Sequence, residues 1–396
     1  MLALFLETRL PSSASDHPLC DPPLVSAGNP PEYRHGQDHM KMPGLSRISA
    51  KLQRLQPRRR PIGLVLLYHR IAAPATDPQL LAVTPERFAG QIRHLSSRFE
   101  MVSLHELANR MPNARRGSRM IAVTFDDGYA DNLSQAKPIL ESCKVPATVF
   151  VATGALATGS AFWWDELEQL LLHPSRLPSS LTLEIDGEVF QWEAGGDVDY
   201  TNEDFASHRK WNVLQNDDPT RRHGLYRTLC RRLKPMTEES RRRALCDLRA
   251  WAALTYDRRS QSQMLTKEDL RLLVDGPWVE VGAHTASHQV LANLSLAEQR
   301  AEIASSKQCL EAIVRRPVRT FAYPYGTKTD YSGDTATLVK EQGFALACSN
   351  YPEAVTRTSD VYQLPRFVVR NWTEERFGRT LDAWWCGREG DEHGDC

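Results

Sequence analysis

Two adjacent acidic residues, Asp126 and Asp127, end the apolar run Met120–Phe125 within the stretch Thr124-Phe125-Asp126-Asp127-Gly128-Tyr129. Like charges side by side raise each other's pKa, a cost that a bound cation removes. Gly128 lets the backbone turn tightly beside them. Alone, the stretch reads more readily as a solvated Asp-Asp-Gly turn. A second stretch changes the weighting: Gly282-Ala283-His284-Thr285-Ala286-Ser287-His288 follows the apolar segment Trp278–Val281. Histidines four apart present both imidazoles to one ion if the segment coils through a helical turn. One carboxylate and two histidines form a facial triad that leaves coordination positions for water and substrate. The other carboxylate is then free as a base. The ion lowers the pKa of the water it holds, and the base takes the proton as that water attacks a carbonyl. This chemistry also needs a donor for the developing oxyanion and an acid for the leaving group. A third stretch, Phe321-Ala322-Tyr323-Pro324-Tyr325-Gly326, offers the donor. Pro324 fixes a bend that aims the Tyr325 N–H at the strand ends, and the aromatic residues there suit stacking on a sugar ring.

These residues must be carried to one place. Ile62–Tyr68 is a continuous apolar run, as expected of a strand buried on both faces. Thr84-Pro85-Glu86 predicts a helix start, with Phe88, Ile92 and Leu95 at helical spacing. Strands are predicted at Glu100–Ser103, Met120–Phe125 and Ala147–Ala152, with a helix at Leu133–Cys143 before the last. After residue 264 the alternation resumes with strands at Val279–Val281, Thr320–Tyr323, Phe344–Cys348 and Phe367–Arg370. Between them lie a helix at Leu296–Val314 and another ending at Gln342, stopped by Gly343. Seven or eight strand–helix units predict an α/β barrel with a parallel sheet. The rhythm breaks over 156–264, read as an inserted α+β subdomain. It holds a hairpin at Leu181–Trp192 turning on Asp186-Gly187, with Leu183 facing Phe190 and Leu181 facing Trp192. Helices at Arg221–Leu233 and Glu238–Leu254 follow. The expected organisation is a disordered leader at 1–60, a barrel from 61–155 and 265–385, the insertion at 156–264 and a flexible tail at 386–396.

Lys+Arg and Asp+Glu both number 49 in 396 residues, so the formal charge is zero. That balance argues against a nucleic-acid partner. Arg58–Arg60 is a short basic run suited at most to weak peripheral contact with anionic lipid. No apolar stretch is long enough to span a bilayer, and the apolar start lacks a basic flank, so a cytoplasmic location is expected. The eight cysteines include no CxxC spacing and are expected as reduced thiols.

The three stretches occur in the order of the polysaccharide deacetylase family (the NodB-homology, or carbohydrate esterase 4, group), which the sequence resembles over Ile62–Trp385 apart from the insertion. The resemblance implies a distorted, TIM-like (β/α)7 barrel and one divalent metal ion, Zn2+ before Co2+ or Ni2+. It implies Asp126 as general base, Asp127, His284 and His288 as metal ligands, and the Tyr325 amide in the oxyanion hole. Most members carry the acid as a histidine in a C-terminal Leu-x-His motif, which is missing here. The sequence is similar instead to the circularly permuted poly-N-acetylglucosamine deacetylase branch, because Leu66-Leu67-Tyr68-His69-Arg70 opens the fold. By that match His69 is the acid. Arg366, in Leu364-Pro365-Arg366, matches the arginine that orients the base aspartate. Trp163, Trp164 and Asp165 are read as packing the insertion onto the barrel rather than lining a groove. The implied activity is hydrolysis of N-acetyl groups on N-acetylhexosamine units of a polysaccharide, oligosaccharide or lipid-linked precursor. An O-acetyl esterase and an inactive carbohydrate-binding relative are the competing readings. Composition and spacing set no oligomeric state.

Overall fold

The computed structural model describes Arg60–Arg388, apart from residues 116, 160, 186 and 253–263. The expected leader, nearly all of the expected tail, Asp186 of the hairpin turn and the predicted end of the second inserted helix lie outside the described residues.

Seven parallel strands among the described residues form one curled sheet. They are β1 (Gly63–Tyr68), β2 (Met120–Phe125), β3 (Ala147–Val151), β4 (Val279–Ala283), β5 (Thr320–Ala322), β6 (Leu346–Cys348) and β7 (Phe367–Val368). Each pairs with its sequence neighbour from β1 to β6, and β7 pairs back onto β1, with Leu66 opposite Phe367. A parallel bridge from Cys348 to Leu364, just before β7, joins the two ends of the curl. The mixed α/β fold is therefore the seven-stranded barrel type expected. A two-residue strand, Glu100–Met101, adds to the start of β2 and is shorter than the sequence predicts.

Strands β1, β2 and β3 are buried at every residue, because the interior of the curl is filled with side chains and helices cover its outside. Helix α1 (Pro85–Arg98) begins as the sequence predicts, with the Thr84 hydroxyl accepting from Arg87 N. The helix expected from Leu133 starts with a π-helical turn, Asn132–Ala136, and continues as α2 (Lys137–Cys143). Parallel strands put all their carboxyl ends on one side, where catalytic loops of barrels gather. All three sequence stretches and His69 leave strands at that side.

Between β3 and β4 the chain forms α3 (Trp163–Leu172), the hairpin Ser180–Ile185/Glu188–Glu193, α4 (Arg221–Leu233) and α5 (Glu238–Ala252). The hairpin register pairs Leu181 with Trp192 and Leu183 with Phe190, as alternation requires. Its buried face, Leu181, Leu183 and Ile185, meets Leu167, Leu171, Leu225 and Leu229 in a cluster distinct from the barrel core. After β4 come α6 (Leu296–Val314), α7 (Gly333–Glu341) and α8 (Glu374–Trp385). No helix of the described residues is long and apolar enough to cross a membrane.

Candidate active site

Asp126 and Asp127 leave the end of β2 almost fully buried, 4% and 3% exposed. Asp127 has φ of 76° and Gly128 of 85°, so the chain turns left-handed at once after the strand. A Cβ at Gly128 would stand 2.9 Å from Val151, so this tight turn needs the glycine for space as well as conformation.

His284 and His288 follow β4, but no helical turn brings them together. They sit in a loop whose Thr285 and His288 adopt positive φ, 64° and 55°. Such conformations cost of order 1–3 kcal/mol each and persist only where surroundings enforce them. Here the enforcement is a carboxylate on α6. Glu302 accepts from Ala286 N at 3.0 Å, Ser287 N at 2.9 Å and Ser287 Oγ at 2.8 Å, while His288 N donates to Thr285 Oγ1 at 3.0 Å. The Gly154 amide docks on Ala286 O at 2.7 Å. The sequence reading missed Glu302, since a glutamate on an amphipathic helix carries no local sign of its task.

The two imidazoles converge on Asp127. His288 Nε2 is 3.2 Å and His284 Nε2 3.6 Å from Asp127 Oδ1. His284 Nδ1–H donates to Ala322 O at 2.8 Å, which leaves the Nε2 lone pair turned into the site. Burial lowers the pKa of His284 to about 4 and of His288 to about 3, so both rings are neutral and available as ligands. Burial also raises the Asp127 carboxyl, against the pull of His69 and His284. Three ligand atoms lie within 4.8 Å of one another. Tetrahedral bonds of about 2.0–2.1 Å to nitrogen and oxygen place neighbouring ligand atoms about 3.3 Å apart. The donor set and its two shorter spacings, 3.2 and 3.6 Å, therefore fit a divalent ion, and the widest, within 4.8 Å, would close as the ion binds.

Asp126 is held differently. Burial pushes its pKa up, but the Arg366 guanidinium overrides that, helped by His284 and His69, and the carboxyl sits below the ordinary range. Arg366 Nη1 and Nη2 each donate to Asp126 at 2.7 Å, and its Nε donates to Ser349 O at 2.7 Å. His69 follows β1 and lines the same cavity as both aspartates and both histidines. Its pKa is lowered by burial, against Asp127 and Asp126. Tyr325, φ 58°, heads a tight turn in which Gly326 N donates to Pro324 O at 2.6 Å. The Tyr325 N–H has no acceptor among the described residues, and its side chain lines the cavity.

Three further expectations need correction. Tyr323 does not reach the cavity: it is fully buried in the barrel core, stacked on Tyr331 at 3.9 Å, with its hydroxyl donating to Tyr362 O. Period-two alternation would send Tyr323 and Tyr325 to the same side; the left-handed turn at Tyr325, just beyond the strand, redirects its ring to the mouth. Pro324 is buried and contributes the turn rather than a substrate contact. Trp163 and Trp164 both line the cavity, so packing is only part of their placement. Trp164 stacks on Phe162 at 4.4 Å and meets the His288 ring edge-on at 5.3 Å, while its indole N–H donates to the Tyr129 hydroxyl, which donates to Asp165. The cavity measures about 440 Å³.

A sequence model described as polysaccharide deacetylase matches residues 113–175 and 247–347. Those stretches contain Asp126, Asp127, His284, His288 and Tyr325, and leave 176–246 between them; His69 and Arg366 lie outside. The chain is similar to the putative polysaccharide deacetylase YxkH of Bacillus subtilis, 25% identical over 105 residues, 26% of this chain and 36% of that protein. Among solved structures it is similar to the deacetylase PplD of Streptococcus pyogenes, 16% identical, TM-score 0.49, covering 80% of this chain and 96% of that one. IcaB from Ammonifex degensii is 18% identical with TM-score 0.48, covering 83% and 98%. The matched stretches make up less than half of the chain but carry the aspartate pair and both histidines of the site, and over them the chain is similar to the polysaccharide deacetylase family.

Proposed function

We propose that the protein is a metal-dependent hydrolase that removes the N-acetyl group from N-acetylhexosamine units of a polysaccharide, oligosaccharide or lipid-linked precursor. The observation that carries this reading is the pairing, in one cavity, of an Asp127–His284–His288 cluster with a separate carboxylate, Asp126, fixed by Arg366. Asp127, His284 and His288 would hold the ion, Zn2+ by donor set, with Co2+ or Ni2+ as substitutes. When bound, the ion supplies Lewis-acid activation of water and of the acetyl carbonyl.

The chain's own groups account for the remaining work. Asp126, ionised and held rigid by Arg366, takes the proton of the attacking water at a carboxylate oxygen. The Tyr325 N–H donates to the oxygen that gains charge as the carbonyl becomes tetrahedral. His69 delivers a proton to the departing amine, so that acetate and a free amino sugar result. The Trp163, Trp164 and Tyr325 rings give the sugar an apolar face and limit water at the reacting carbon.

The test is acetate release from matched N- and O-acetylated sugars by protein loaded with zinc. Release from the N-acetylated set, abolished by Asp126→Asn and by chelation, is the expected result. Full release by metal-free protein, or release from O-acetyl esters alone, would overturn the reading.

A further inference from the structure

The reacting groups come from the barrel, but one wall of their cavity does not. Arg227, Cys230, Arg231 and Lys234, on α4 and just after it, face the site across the cavity. Arg227 is taken up internally by Asp218 and by the carbonyls of Val213 and Gln215. Arg231 is exposed, and no carboxylate of the described residues pairs with it. Lys234 lies 4.3 Å over the Tyr325 ring and 3.0 Å from Asp330, with its side chain 37% exposed. Behind them Arg241 on α5 is 2% exposed; it pairs with Glu238, and its buried Nη1 has no hydrogen-bond partner among the described residues.

Against these cations the cavity lining offers only two carboxylates, Asp126 and Asp127. Both lie on the floor, one engaged by Arg366 and the other by the two histidines. The outer half is thus a cationic wall beside an apolar tryptophan face. A neutral acetylated polymer offers such a wall hydroxyl acceptors but no charge, whereas Arg231, which pairs with no carboxylate of the described residues, favours a partner of opposite charge beside Lys234.

We propose that this wall is an anion subsite, in which Arg231 and Lys234 hold a phosphate or carboxylate carried by the substrate, on the acetylated sugar or the one next to it, while the acetyl group reaches Asp126 and Tyr325. The proposal rests on the deacetylase reading of the floor and deepens it: the substrate is an anionic acetylated sugar. A guanidinium suits either anion through two-point hydrogen bonding, and the ammonium adds a point charge. Arg241 lies too deep to touch the ligand and contributes field.

Calorimetric binding to the full-length, zinc-loaded protein tests this without requiring turnover. The probes are N-acetylglucosamine 1-phosphate, a disaccharide of glucuronate and N-acetylglucosamine, and neutral diacetylchitobiose. At least one anionic probe is expected to bind about tenfold more tightly than the neutral one, the size of one charge-assisted hydrogen bond. That advantage should shrink at about 1 M salt, as charges are screened. Arg231→Gln should reduce the ratio and Arg231→Glu should reverse it, with melting temperatures unchanged because the side chain is exposed. The phosphate and uronate arms show which anion is recognised. Equal affinity for all three probes overturns the subsite, as does a preference that survives Arg231→Glu and Lys234→Gln together. Preferential binding with no acetate released from any probe would support the subsite while sinking the hydrolase reading.

Discussion

Arg366 grips Asp126 with two parallel hydrogen bonds of 2.7 Å, although 240 positions separate them in sequence and both are almost fully buried. A carboxylate so deep would otherwise take up a proton and lose its value as a base. Arg366→Leu should therefore cost about 3–5 kcal/mol, the usual effect of stranding one member of a buried pair. The wild-type Asp126 pKa is depressed on folding, so its contribution to stability is present above the unfolded carboxylate pKa and is lost as pH falls through the folded value. Denaturation of the variant and wild type should thus differ most near neutral pH and converge in acid. A constant difference across pH would contradict this account.

Metal binding and proton transfer should separate by mutation. His284→Ala and Asp127→Asn are expected to abolish stoichiometric zinc, as read by metal analysis after gel filtration. Asp126→Asn should retain zinc while losing activity by at least about 100-fold, the scale of a removed general base. Chelation should lower the wild-type melting temperature, since an ion at a hundred times its Kd stabilises by roughly 2.7 kcal/mol. Melting indifferent to zinc would argue against the ion site.

Glu302 touches neither substrate nor the proposed ion, yet it clamps the loop bearing both histidines. Glu302→Ala releases two backbone amides and a hydroxyl, each worth about 1 kcal/mol or more when bonded to a charged acceptor. The expected result is a zinc Kd weakened by roughly 10–100-fold, as for other supporting residues around metals. Glu302→Gln, which keeps an acceptor, should recover part of it. A Glu302→Ala protein that melts lower but binds zinc normally would reduce the clamp to a purely structural role.

His69 is the assigned acid, and leaving-group dependence tests it. His69→Gln should slow release from amide substrates by about 100-fold or more. An aryl acetate, whose phenolate leaves without a proton, should be hydrolysed with a much smaller loss. Equal losses on both substrate types would remove His69 from the proton path.

Glu168 accepts from the Thr76 hydroxyl, and burial pushes its pKa up to about 8. A carboxyl raised on folding destabilises as pH climbs from its unfolded value, and the penalty levels off above the folded one. Glu168→Gln should therefore melt higher than wild type at pH 8 and alike at pH 4. A variant no more stable at pH 8 would contradict that burial cost.

The local chemistry was legible along the chain. Asp126 and Asp127 end an apolar run, His284 and His288 end another, and parallel strands that alternate with helices must put those ends on one side. The hairpin register followed from alternation alone, because one face had to be buried. What the chain could not declare was how distant groups meet. The histidine pair met through left-handed residues in a clamped loop instead of a helical turn, and no spacing rule reveals a φ of 55° at His288. Tyr323 and Tyr325 look equivalent in sequence, and alternation would place them alike, but a positive φ at Tyr325 leaves one in the core and turns the other to the cavity. Nothing local marks Arg231, on α4, or Lys234, just after it; they matter only because packing sets them along the cavity. Residue type and period are local properties, readable from neighbours; the field and shape of a cavity are sums over elements hundreds of residues apart, and only packing decides which of them add.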